Sequence, residues 1–302
     1  MTQPSSAHPL VRLGQGDFIR DIWPKDTNVP VHTELAVDLR VLIREPADAY
    51  HARRGDYLTS HRLAKFRRCP LLFRKKEQGL IPDRDSHAFL VGRAAHTLIL
   101  EGRQRYETEF AVGGPINEKT GKPFGSSTKA FAEWAERRGK PVLGDDDAAL
   151  VEEMAASVRS HVFARELLAE GIAEGVVRRD LVGVPCQARI DWINPADGRG
   201  IVDLKTTDRL EMFEMDIAAF GYVPQMAFYR AVLAQAIGVS LPVHLIAVEK
   251  REPFRCGVWQ IAKRRLDAAE TENARAIREL VRCRETTNWP TGFESLRLYD
   301  RD

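Results

Sequence analysis

Between residues 186 and 207, two β-forming runs, CQARIDWIN and IVDLKTT, flank the six-residue segment PADGRG. One proline and two glycines in that connection stop either run from continuing through it, and a link this short joins two strands only as an antiparallel hairpin. The run EGVVRRDLVG at 174–183 reads as a further strand entering a turn, so the stretch predicts a three-stranded antiparallel meander. Any fold for this chain has to be built around that small sheet.

The rest of the chain supplies cover for it. Ser60 is a candidate N-cap for a helix carrying Leu63 and Phe66, and Cys69-Pro70 predicts a bend into a second short helix with Leu71, Leu72 and Phe73. SHAFLVGRAAHTLILE at 86–101 has helical spacing and stops at Gly102. The glycine- and proline-bearing stretch 103–126 reads as a long loop, and 127–138 and 147–170 as amphipathic helices. A helix over 216–237, interrupted near Gly221-Tyr222-Val223-Pro224, precedes two more strand runs, VHLIAVEK and FRCGVWQIA, and a charged helix at 263–285. The sum is an α/β domain with a small central mixed sheet, flanking helices and a helical N-terminal half. Residues 1–54 are expected to be an irregular arm, and 55–302 the folded domain.

With 44% hydrophobic residues the 302-residue chain can bury a core, and no apolar run approaches the ~20 residues of a membrane span. The N-terminus MTQPSSAHPL lacks the pattern of a secretory signal, so a cytoplasmic protein with no membrane partner is expected. The four cysteines, at 69, 186, 256 and 283, include no CxxC pair, which argues against structural zinc and for reduced thiols. The net charge of +2, from 45 Lys+Arg and 43 Asp+Glu, conceals segregation: HRLAKFRRCPLLFRKK at 61–76 holds seven basic residues and no acid. Arg62, Lys65, Arg67 and Arg68 are therefore candidate contacts to a polyanion, with Arg53, Arg54, Arg251 and the 263–265 KRR run beside them. A solvated helix face explains the same charge. Tyr57, Phe66 and Phe73 interleave with these bases, where they either stack on a nucleic acid or belong to the core.

The chemistry-bearing residues lie on the hairpin. Asp203 and Lys205 are two apart on a strand and face one way, and Asp191 lies on the neighbouring strand. Carboxylates suit hard cations such as Mg²⁺ and Mn²⁺, and a lysine beside them can orient or deprotonate a water and offset charge on a phosphorane. On spacing alone a solvated strand end explains D-x-K at least as well.

ARIDWINPADGRGIVDLKTT resembles the core of the PD-(D/E)xK nuclease superfamily, with Ile190-Asp191 in place of Pro-Asp and Asp203-Leu204-Lys205 as the D-x-K element. Ser60, Phe66 and Cys69-Pro70 resemble the opening motif of RecB-type nuclease domains. Gly92 to His96 resembles their G-x-x-x-H helix, Glu174 an acidic position before the hairpin, and Tyr222, Gln225 and Tyr229 their Y-x-x-Q-x-x-x-Y helix. The arrangement over about residues 55–262 is most similar to RecE-type phage exonucleases. The resemblance implies a restriction-endonuclease-like fold and a Mg²⁺-dependent exonuclease (Mn²⁺ as substitute) acting on double-stranded DNA ends. In that reading His96, Asp191, Asp203 and the Leu204 carbonyl bind metal and Lys205 is catalytic. Glu174 assists the metal or its water, and Gln225 and Tyr229 position the scissile strand. It further implies 5′-to-3′ digestion leaving 3′ overhangs for recombination, a single-strand annealing partner and a homo-oligomeric ring. Some members carry an iron–sulfur cluster on one cysteine before the fold and three after it. Here only Cys283 lies in the tail, so no cluster is expected. An endonuclease or repair-complex module on the same fold, and a catalytically silent DNA-binding protein, remain the alternatives.

Overall fold

The computed structural model describes residues 38–82, 87–125, 127–196 and 198–299, so the arm expected at the N-terminus lies outside the described residues up to 37. Eleven α-helices are described: α1 (Ala47–Ala52), α2 (Ser60–Arg68), α3 (Pro70–Glu77), α4 (His87–His96), α5 (Arg103–Glu109), α6 (Lys129–Arg138), α7 (Asp145–Ser160), α8 (Val162–Leu167), α9 (Phe213–Ala219), α10 (Tyr222–Ile237) and α11 (Lys263–Thr286). A two-stranded parallel pair, β1 (Ala111–Val112) and β2 (Val142–Leu143), stands apart from the main sheet. That sheet has the order β3-β4-β5-β6-β7, with β3 at Ile172–Leu181, β4 at Val184–Asn194, β5 at Gly200–Thr207, β6 at Val243–Glu249 and β7 at Cys256–Gln260.

The expected meander is present: β3 pairs antiparallel with β4, and β4 antiparallel with β5. The first strand ends two residues earlier than its sequence suggests. Val182 and Gly183 take φ of +52° and +73° and form a two-residue turn whose twist suits a hairpin. β6 then runs parallel to β5, after the crossover through α9 and α10, and β7 returns antiparallel. The sheet is mixed, as expected.

The bend at Cys69-Pro70 is also present. Cys69 is extended, its thiol accepts the Leu72 N–H at 3.4 Å, and Phe66 and Phe73 close over the bend edge to face at 5.6 Å. The cap of α2 is Thr59 rather than Ser60, its hydroxyl accepting the Arg62 N–H. Two further expectations fail. The loop expected over 103–126 contains α5, held by buried Tyr106 and by Arg105 ion-paired to Glu109, and β1 follows it. The single helix expected over 147–170 breaks at His161, which turns extended (ψ 121°) and accepts the Ala164 N–H on Nδ1.

One core joins the sheet to α2, α10 and α11. Ile190, Ile193, Ile201 and Leu245 meet Met226, Phe228 and Val232 from α10, with Leu266 and Ile277 from α11 behind. Residues of the expected arm also reach the sheet: Ile43 makes two backbone hydrogen bonds with Val176, and Glu45 pairs with Arg178. Among the described residues no helix is long and apolar enough to cross a membrane.

Candidate metal centre

The centre forms where β4 and β5 part. Their ladder has three Cα pairs, from Asn194–Gly200 to Trp192–Val202, and Asp191 and Asp203 are the next residues on each strand. Beyond the last pair Asp191 takes over from the ladder, its Oδ2 accepting the Leu204 N–H at 3.0 Å. Asp203 is 1% exposed and its carboxylate receives the Lys205 ammonium at 2.6 Å. Period two thus brings Asp203 and Lys205 together as read from sequence, and puts Leu204 between them with its side chain buried. Lys205 Nζ also reaches Gln225 Oε1 at 3.5 Å and stands 4.7 Å from the centre of the Tyr222 ring. Gln225 in turn donates to the Tyr229 hydroxyl at 3.1 Å, one turn along α10. Tyr229 is buried, 6% exposed, with its hydroxyl accepting this bond.

Two further groups close on Asp191. His96, the last residue of α4, brings Nδ1 to 3.4 Å from Asp191 Oδ2. Directly after it the helix widens into a π turn over Thr97–Glu101, where the Thr97 hydroxyl donates to the Arg93 carbonyl. Glu174 stands opposite Asp191 in the β3–β4 register, between the Ala173–Trp192 and Gly175–Ile190 pairs and itself unpaired. Its φ is +54°, a left-handed backbone within a strand, and Arg189 Nε holds its carboxylate at 2.6 Å. One donor atom each from His96, Glu174 and Asp191 lies within 4.8 Å of the other two.

The electrostatics follow from burying acids together. Burial first, then Asp191, pushes the Glu174 carboxyl up to about 8 against the pull of Arg189. Burial lifts Asp203 to about 6 although Lys205 pulls it down, and lifts Asp191 as well. Burial, then the Lys205 charge, lowers His96 to about 4, so its imidazole is neutral at pH 7 and free to donate a lone pair. For Lys205 burial works against the charge, but Asp203 and Asp191 outweigh it and raise the pKa. Crowded carboxylates that resist ionisation, beside a neutral imidazole, are a donor set that a divalent cation relieves. The residues fit Mg²⁺ or Mn²⁺.

The basic stretch is less available than its composition suggests. Arg62 is committed to the carbonyls of Arg54 and Tyr57 and to the Glu77 carboxylate. Arg67 reaches across to Glu272 at 2.8 Å and Asn273 at 3.1 Å on α11. Lys65 and Arg68 are exposed on α2. Phe66 and Phe73 are buried core residues and present no ring to a ligand. Tyr57 is half-buried under the Arg178 guanidinium. Sequence reasoning passed over Arg189, although it lies two residues before Asp191 on one strand, the same spacing that singled out Lys205. It also passed over His61, which is exposed at the head of the basic stretch and whose pKa is lowered by surrounding protein and by the Lys205 charge.

Residues 60–300 match the family described as "PDDEXK-like domain of unknown function (DUF3799)". No curated protein matches the chain in sequence. Among solved structures it is similar to a "putative exonuclease" from Eubacterium rectale, with a TM-score of 0.60 at 14% identity, over 86% of this chain and 96% of that one.

Proposed function

The chain belongs to the PDDEXK-like family, and from that premise we propose that it is a divalent-metal-dependent nuclease hydrolysing phosphodiester bonds at the ends of double-stranded DNA. The observation that carries the proposal is the convergence of His96, Glu174 and Asp191 within 4.8 Å, beside the 2.6 Å Asp203–Lys205 pair, at the parting of two strands.

His96, Asp191 and Asp203 would hold the ion, with Glu174 and the Leu204 carbonyl beside them. Bound there, Mg²⁺ or Mn²⁺ would polarise the phosphodiester and lower the pKa of a water. Two aspartates face Lys205 and raise its pKa against the effect of burial. It is placed to orient the attacking water and to offset charge on the phosphorane. Gln225, bonded to both Lys205 and Tyr229, fixes the ammonium and offers its amide to the scissile strand. Arg68, exposed on α2, is the candidate from the basic stretch for backbone phosphates.

The resemblance to RecE-type exonucleases extends the proposal to digestion from 5′ ends, leaving 3′ overhangs for phage-type recombination with an annealing partner, by a ring of identical chains in the cytoplasm. End-labelled linear duplex and closed circular DNA, each incubated with Mg²⁺ or with EDTA, test it. Release of 5′-terminal label from linear DNA in Mg²⁺ alone is expected. Equal cutting of the circle overturns the exonuclease reading in favour of an endonuclease, and cleavage in EDTA overturns metal dependence.

A further inference from the structure

One ring beyond the buried charges of the centre stands an exposed aromatic side chain. Phe220 is 67% exposed, while Asp203 is 1% exposed. Phe220 follows the last residue of α9 and its N–H bonds the Asp216 carbonyl at 2.9 Å. Gly221 then turns left-handed, φ +71°, and α10 begins at Tyr222. A residue with a side chain is strained at that φ, so the glycine lets two aromatic residues flank a sharp turn.

Their rings lie 5.8 Å apart, centre to centre, at 36°. The Tyr222 ring also bears the Lys205 ammonium at 4.7 Å. Behind it, Phe213 approaches Tyr222 at 6.0 Å and is itself seated on Trp259 at 4.7 Å. The contacts run without a break from Asp203 through Lys205 and Tyr222 to the exposed ring. A nucleobase offers a flat π face a short way along the chain from every phosphate, and stacking accepts any base. An exposed ring joined to the lysine at the phosphate site has the chemistry to receive it.

We propose that Phe220, backed by Tyr222, is the platform on which a base next to the scissile phosphate stacks. The substrate class rests on the nuclease reading, so binding and cleavage are measured separately. Affinity is read with EDTA present, using duplexes with a short single-stranded end and an abasic nucleotide placed in turn at each of its terminal positions. Phe220→Ala is expected to weaken binding of the intact DNA about tenfold, the worth of one stacked base, and Phe220→Trp to restore it. At one abasic position wild type and Phe220→Ala should bind alike, because the base that stacks has gone. No loss in Phe220→Ala, or an equal loss at every abasic position, overturns the platform. If Mg²⁺-dependent cleavage by wild type persists in that case, the nuclease reading stands. A base-dependent loss in a protein that cleaves nothing would keep the platform and sink the nuclease reading.

Discussion

Glu174 holds a left-handed backbone with its carboxylate between Asp191 and Arg189, an arrangement that costs folding energy in two ways. The backbone alone costs of order 1 kcal/mol, and buried like charges add to it. A cation offsets the second cost. The pH dependence follows with a definite sign. Glu174 at about 8 and Asp203 at about 6 are raised above ordinary carboxyls, so without metal they keep protons that an arriving ion must displace. Mn²⁺ affinity measured by titration calorimetry is expected to rise from pH 6 to pH 8, and a flat profile would contradict the assignment. Arg62 gives the opposite lesson, because its charge is spent inside the fold. Arg62→Ala is expected to cost about 1.5–3 kcal/mol in urea unfolding, since charged hydrogen bonds are lost. Arg68→Ala should leave stability alone and reduce the salt slope of DNA binding by about one. Composition reports how many bases a segment holds, and only the fold reports which are already paired.

At the scale of elements, what was legible in the sequence is what short-range geometry dictates. Period two put Asp203 and Lys205 on one face, PADGRG forced the hairpin, Cys69-Pro70 forced a bend, and Gly221 separated α9 from α10. The misses depend on long-range partners or on single side chains. α5 owes its place to Tyr106 and to ion pairs, and the break between α7 and α8 to one histidine cap. The place of Glu174 follows from register: it faces Asp191 only because Val182-Gly183 makes a two-residue turn, and a turn one residue longer would have shifted it to the other face. The entrance to β5 is equally sensitive. Gly200 has φ +62° and its added Cβ would come to 2.3 Å from the Pro242 carbonyl oxygen, where β6 begins. Gly200→Ala is expected to destabilise the protein by more than about 1 kcal/mol in urea and to lower cleavage with it, because the strand carrying Asp203 and Lys205 must shift. Unchanged stability would show that β5 is not held there.

For the whole molecule, the near-zero net charge resolves into local arrangements: acids gathered at one centre, bases partly spent on bracing α2 and partly exposed beside it. Its titration shows elsewhere too. His244 is buried in β6, its Nδ1 2.7 Å from the Arg199 carbonyl oxygen, and burial lowers its pKa to about 4. The unfolded chain therefore takes up that proton first, and the stability contributed by neutral His244 falls as pH drops from about 6.5 to about 4. The loss in urea midpoint between pH 7 and pH 5 is expected to be smaller in His244→Asn than in wild type; an equal loss would contradict the burial argument. We propose that the charges gathered between β4 and β5 form a phosphodiesterase centre in which Lys205 acts. Digestion of end-labelled linear duplex in Mg²⁺ by wild type and by Lys205→Ala, side by side, tests it most directly. Cleavage by wild type with none by Lys205→Ala is expected, and persistent cleavage by the variant would contradict it.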